Sequence, residues 1–411
     1  MWRVLGVCVL GVAARASTTV LPPESQKPRS EVCPWCKNDP ALMKRAGIVS
    51  HGPLTIGPKG SAAIVAGLPT SQWVFLETAH LRWASSLGTC NVDLDDKKRV
   101  LAELARLREV LPDVPEEPKK LDPFLRLHLF AMKGEDFYAR FQKLLAVTDA
   151  DFPESRTLSG PFMGNGRFLG EKDKFEIVLH SARANHALFT TEFSGVSVPD
   201  AVLYHLREQH KMIASIPAED PDLRKDRWLF PHVVHCLSHL CLRAYKHFSY
   251  DSPPWLDEGL ALCMEKEIDP ASTTNEGGEG GKLDARGPKD WAVGARKLVA
   301  AGKELRLAQL LRMKELDEFD ENAKLTAWSM VRFLIDEHGE KFAAFLGGVK
   351  GQLDEQGQPS GHDLPELQRR LLEKHWGWTP VSFDAAWKAS FVPEKTSDKP
   401  GATPGEVPRE K

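Results

Sequence analysis

The chain's most constraining feature is a pair of histidines, His235 and His239, inside the apolar run Pro231-His232-Val233-Val234-His235-Cys236-Leu237-Ser238-His239-Leu240. Residues four apart lie one turn along the same helix face. A helix here would therefore aim two imidazoles at one point, as a metal ion requires. A third donor follows in Pro253-Pro254-Trp255-Leu256-Asp257-Glu258-Gly259-Leu260-Ala261. The two prolines end whatever precedes them, and a second helix starts near Trp255 with Glu258 in its first turn. Eighteen residues stand between His239 and Glu258. That is enough for one helix to end, the chain to turn and a second helix to pack back. Two histidines and a glutamate with an open fourth position form a catalytic zinc arrangement.

These residues resemble the gluzincin metallopeptidases, in which a His-Glu-x-x-His helix is followed by a glutamate on a neighbouring helix. His235, His239 and Glu258 match the zinc ligands of that pattern. Trp255 to Ala261 resembles the Trp-Leu-x-Glu-Gly-x-Ala segment of bacterial exported peptidase-MA-like domains. Trp328 to Leu334 and Phe383 to Trp387 are similar to helices that follow the site there. The resemblance spans about residues 170 to 392. It implies an α+β fold: a zincin-like core with a small sheet and two metal-binding helices, plus a helical C-terminal part. It also implies zinc as cofactor and a peptide or protein as substrate or ligand.

One position departs from the pattern. The family's general base follows the first histidine, and here that residue is Cys236. A carboxylate there takes a proton from zinc-bound water and passes it to the leaving amine. A thiol is shorter, has a reference pKa near 8.5 and tends to bind metal or oxidise. The expectation is a pseudopeptidase with weak or no hydrolysis, Cys236 occupying the base position as a buried thiol. Two alternatives stand beside it. One is an active zinc peptidase with a non-standard base, Asp257 or Glu265. The other is a metal-free structural or peptide-binding domain whose histidines belong to the core. Lys324 and His338 are the downstream candidates for steadying an oxyanion, and His232 reads as a partly exposed histidine at the helix start.

The rest of the chain frames this centre. Residues 1–16 read as an export signal: Arg3, an apolar stretch from Val4 to Ala14 and a small-x-small cleavage site. The apolar stretch is too short to span a bilayer. A periplasmic or extracellular location follows as an expectation. With 54 basic and 57 acidic residues, no positive excess points to nucleic acid or an anionic membrane. Beyond the signal lie six cysteines, Cys33, Cys36, Cys90, Cys236, Cys241 and Cys263. Cys33-Pro34-Trp35-Cys36 lacks the histidine of haem attachment and a second Cys-x-x-Cys. A local Cys33–Cys36 disulfide is the first reading, and a two-cysteine half-site with His51 is the second.

The expected organisation is a linker and Cys-x-x-Cys segment over 17–69, an α+β region over 70–170 and the zincin-like core over 171–270. A flexible Gly-rich loop over 271–290, a helical region over 291–392 and a disordered tail over 393–411 follow. Periodicity predicts helices over Lys97 to Leu111, Pro123 to Val147, Lys324 to Glu337, Leu364 to Leu372 and Phe383 to Phe391. It predicts strands over Trp73 to Ser86, Phe175 to Leu179 and Lys211 to Ile216. The last of these is the expected sheet edge, where an extended peptide would add as a further strand.

Overall fold

A computed structural model describes residues 32–155, 160–219, 223–272, 290–315 and 319–391. The expected export signal, most of the Gly-rich loop and the C-terminal tail lie outside the described residues. In chain order the first elements are α1 (Pro40–Arg45), the β1–β2 hairpin (Thr55–Ile56, Lys59–Gly60), α2 (Ser61–Gly67), β3 (Val74–Glu77), β4 (Leu81–Ser85) and β5 (Cys90–Asn91). Then come α3 (Lys97–Val110), β6 (Lys120–Leu121), α4 (Pro123–Leu145), β7 (Phe175–His180), α5 (Arg183–Ser194), β8 (Val202–Leu206) and β9 (Lys211–Pro217). The second half is helical: α6 (Asp226–Ala244), α7 (Pro254–Ile268), α8 (Trp291–Ala300), α9 (Leu307–Leu310), α10 (Glu321–Val349), α11 (Leu364–Trp376) and α12 (Pro380–Phe391). The architecture is mixed α+β, with a small mixed sheet and a helical C-terminal part.

The five-stranded sheet runs β3-β4-β7-β9-β8. β4, β7 and β9 are mutually parallel, and β3 and β8 close the two sides antiparallel. Every residue of β7 and β9 is buried, as expected for strands covered on both faces. This corrects the expected edge: Lys211–Pro217 lies one strand in from it. β8 forms the rim, and its residues alternate less cleanly because all but Leu203 are half-exposed. Residues 73–86 likewise form a hairpin rather than one strand. The chain reverses at Thr78, whose hydroxyl donates to the Leu81 carbonyl at 3.2 Å. The turn carries neither Gly nor Pro, so no ordinary turn signal announces it.

Residues 32–69, the described part of the expected linker and Cys-x-x-Cys segment, pack against the sheet, with Leu54, Ile56, Ile64 and Leu68 set against Ala84, Val178 and Ile213. The Val49 N–H donates to the Glu77 carbonyl, and the Glu77 N–H returns to Ser50, each at 2.7 Å. That pairing covers the outer edge of β3. α4 lies across β3 and β4 and reaches α6, where the Phe130 and Phe230 rings meet at 5.5 Å. Asp122 caps α4, its carboxylate accepting from the N–H groups of Phe124 and Leu125 ahead of a proline start.

α6 packs against β9, and α7 packs against both α6 and α10. From Leu229 to Ala244, and from Pro254 to Lys266, every residue is buried. Helices buried all round belong to a core, so the polar side chains on them must find partners there. The α7–α10 contact depends on Gly259. A Cβ at that position would stand 2.7 Å from Val331 Cγ2 and 2.9 Å from the Ala327 carbonyl oxygen. Gly259→Val should therefore destabilise the fold by about 1–3 kcal/mol through overpacking. A lowered urea midpoint with an unchanged slope would register it.

Candidate metal centre

α6 brings His235 and His239 onto one face, and α7 presents Glu258 to them from its first turns. The two Nε2 atoms are 3.1 Å apart. Glu258 Oε2 lies 3.8 Å from His235 Nε2 and 3.6 Å from His239 Nε2. One donor atom from each of the three residues falls within 4.8 Å of the others. The structure thus brings together the three ligands expected from sequence.

The backs of both rings carry carboxylates. His235 Nδ1 donates to Glu265 Oε2 at 3.0 Å. His239 Nδ1 lies 2.8 Å from Asp257 Oδ1, and Asp257 Oδ2 accepts from Arg243 Nε at 2.9 Å and from its terminal nitrogen at 2.8 Å. The Glu265 acceptor behind His235 keeps that ring's proton on Nδ1 and leaves its Nε2 with the lone pair forward, and the Asp257 carboxylate stands in the corresponding place behind His239. Two imidazole nitrogens 3.1 Å apart and faced by a carboxylate need a positive charge between them, which a shared proton or a metal ion supplies. Glu258 Oε1 adds to that need. It is buried and accepts no hydrogen bond among the described residues, with Lys324 Nζ 3.5 Å away. The donor set and its second layer therefore suit a bound metal ion.

The supporting carboxylates are held ionised. Burial alone would raise Glu265, but the His235 hydrogen bond, the Lys266 ammonium and the Ser272 hydroxyl outweigh it and hold the carboxyl below the ordinary range. Burial also opposes the charge on Asp257, and Arg243 and His239 outweigh it, leaving that carboxyl well below the ordinary range. Sequence offers these two acids as substitute bases. Their oxygens are instead engaged behind the rings, on the opposite side from the converging Nε2 atoms. Of the two oxyanion candidates, Lys324 reaches the centre and His338 does not. His338 sits at a kink in α10, φ −138°, with its ring 5.0 Å from those of Phe333 and Trp378.

Cys236 is fully buried and stands outside the three-ligand group. Its Sγ is 3.8 Å from His232 Nε2. His232 corrects the expectation of a partly exposed residue: it is 5% exposed, because α6 is embedded from its second turn onward. Burial first, then the neighbouring His235, pulls its imidazolium down to about 4.

The expected Cys33–Cys36 disulfide is not formed, since all six cysteines of the described residues are free. Each of those two thiols meets an imidazole: Cys33 Sγ lies 3.1 Å from His128 Nε2, and Cys36 Sγ lies 3.0 Å from His51 Nε2. His128 escaped the sequence reading, as a lone histidine on the apolar face of α4 with its partners far off in the chain. The pairing of Glu265 with His235 also escaped it. A spacing of seven from Glu258, two helical turns along α7, was the available signal. No described helix is long and apolar enough to cross a membrane. Comparison with family models, with curated proteins and with solved structures finds no match.

Proposed function

We propose that the chain is an exported, zinc-holding relative of the gluzincin metallopeptidases whose hydrolytic step is impaired. The observation that carries this reading is a single arrangement. His235, His239 and Glu258 converge, a carboxylate backs each histidine, and a thiol follows His235 where that family places its base. On this reading α6 and α7 are the two metal helices of a zincin-like core, lying beneath the β9–β8 side of the sheet. The exposed rim of β8 is where an extended peptide or protein segment would pair.

His235, His239 and Glu258 would hold the zinc. When bound, it supplies a Lewis acid and an acidified water. Glu265 and Asp257 orient the two imidazoles and raise their basicity. Arg243 fixes Asp257, and Lys324 offsets part of the Glu258 charge. Cys236 contributes bulk and no carboxylate, so proton transfer lacks its usual carrier. The burial of all three ligands, none more than 2% exposed, favours retention of the ion over turnover.

Elemental analysis tests the reading. The protein with His235→Ala and the protein with Glu258→Ala should each contain about one zinc per chain less than the unchanged protein. Equal zinc in all three proteins would refute it. A finer test addresses the orienting layer. Glu265→Gln keeps the shape but removes the charge behind His235, and should lower zinc affinity about 10- to 100-fold. Competition with a chromogenic chelator measures that change, and an affinity unaltered by the substitution would leave Glu265 with no part in the centre.

A further inference from the structure

A second cluster lies toward the β3 edge of the sheet, remote in sequence from α6 and α7. Cys33 and Cys36 come from the turn before α1, His51 from the strand-like segment beside β3, and His128 from the second turn of α4. One donor atom from each falls within 4.8 Å of the other three. Three of the four residues are buried and His51 is half-buried.

The local chemistry is directed at these four atoms. Lys37 and Asn38 both adopt left-handed backbone, φ 54°, which folds the chain back over the first cysteine. The Lys37 N–H donates to the Cys33 carbonyl at 2.9 Å, and the Trp35 N–H points at Cys33 Sγ at 3.4 Å. The Asn38 side chain accepts from the Cys33 N–H at 3.1 Å. Trp35 anchors the turn to the start of α4, its indole N–H donating to Asp122 at 3.0 Å. His51 Nδ1 lies 3.1 Å from the Phe75 carbonyl oxygen. That acceptor fixes the proton on Nδ1 and turns the bare Nε2 toward Cys36, the orientation a metal-bound histidine adopts.

Four donors of two thiols and two imidazoles match a closed tetrahedral zinc site. Zn–S near 2.3 Å and Zn–N near 2.0–2.1 Å put neighbouring S and N donors about 3.5 Å apart. The observed S–N separations of 3.0 and 3.1 Å require shifts of only a few tenths of an ångström. Two thiolates neutralise a divalent ion, so the buried cluster carries no net charge once filled. We propose that Cys33, Cys36, His51 and His128 bind a structural zinc ion, independent of the centre on α6 and α7, that fastens residues 32–51 to the sheet and α4. Unlike the His235/His239/Glu258 set, it has four protein donors and leaves no position for a substrate.

The test uses the full protein prepared under reducing conditions, with zinc content and the absorption spectrum after cobalt replacement as readouts. The unchanged protein should hold about two zinc ions per chain, and Cys36→Ser or His128→Ala should bring that to about one. Cobalt should give a thiolate-to-metal charge-transfer band in the unchanged protein. The band should persist in His235→Ala and in Cys236→Ala and vanish in Cys36→Ser. His128→Cys keeps four donors, so it should retain the zinc and strengthen the band, which decides the matter even if the serine variant does not fold. Absence of the band from the unchanged protein, its loss in Cys236→Ala alone, or equal zinc with and without Cys36 would overturn the proposal. Loss of zinc confined to His235→Ala would leave the α6–α7 centre standing and remove this one.

Discussion

Cys236→Glu should raise peptide hydrolysis about 10²- to 10⁴-fold, the ordinary contribution of a positioned general acid–base group. The residue follows His235 on a helix that is already formed and buried, so the backbone needs no change to present a carboxylate. Glutamate is longer than cysteine, and the site it enters is fully buried, with His232 nearby. Some stability should be lost through crowding, of order 1–3 kcal/mol, and hydrolysis must be compared at matched folded fraction. Cys236→Gln supplies the control: it has the same size and no basic oxygen. kcat/KM on a quenched-fluorescence peptide library should rise in the glutamate variant alone. A zinc-loaded glutamate variant no faster than the glutamine variant would sink the pseudopeptidase reading.

The second large effect concerns stability. Arg243→Met should destabilise the fold by about 3–5 kcal/mol, since it strands a buried carboxylate. Arg243 and Asp257 are 7% and 3% exposed, and two donors of the guanidinium meet one Asp257 oxygen. Methionine fills much of the same volume but offers no charge. Replacing both members, as in Arg243→Met with Asp257→Leu, should recover much of the loss, because no charge is then left without its partner. Denaturant midpoints of the two single variants and the double variant measure the coupling. A single variant within about 1 kcal/mol of the unchanged protein would mean that the pair is dispensable.

Much of this was legible in the residues themselves. α3, α4 and α10 to α12 announce themselves through apolar spacing, and α6 and α7 through His235, His239 and the prolines before Glu258. Periodicity of this kind is local, so it survives without knowledge of the fold. What was not legible depends on distant neighbours. Lys211–Pro217 and Val202–Leu206 are both short and apolar. Only the sheet order, set by crossovers elsewhere, decides which of them is the rim. The turn at Thr78 uses a hydroxyl where glycine or proline would have been conspicuous. Asp257 and Glu265 could be named as acids from sequence, but whether each faces the front or the back of an imidazole depends on how α7 docks on α6. Cys33 and Cys36 suggested a bond to each other. Their actual neighbours are His51, which the second sequence reading offers, and His128, which lies among the apolar residues of a distant helix and gives no signal of its own.

The contact between Cys33 and His128 joins residues 95 apart in the chain. The entropy of closing such a loop grows only as the logarithm of its length, so the separation itself is a modest obstacle. Its order in time is more consequential. During synthesis the two thiols emerge first and His51 soon after, while His128 arrives only once β3, β4 and most of the first helical layer have left the ribosome. Chains leave the ribosome at about 5–20 residues per second, so the cysteine turn waits several seconds for its last partner. Of the later cysteines, Cys90 alone precedes His128 in the chain and emerges within that interval. The turn at Trp35 and Lys37 is closed by hydrogen bonds among residues 33–38 alone, so it needs nothing that emerges later. It can hold Cys33 and Cys36 in place until α4 delivers the residue that completes the cluster.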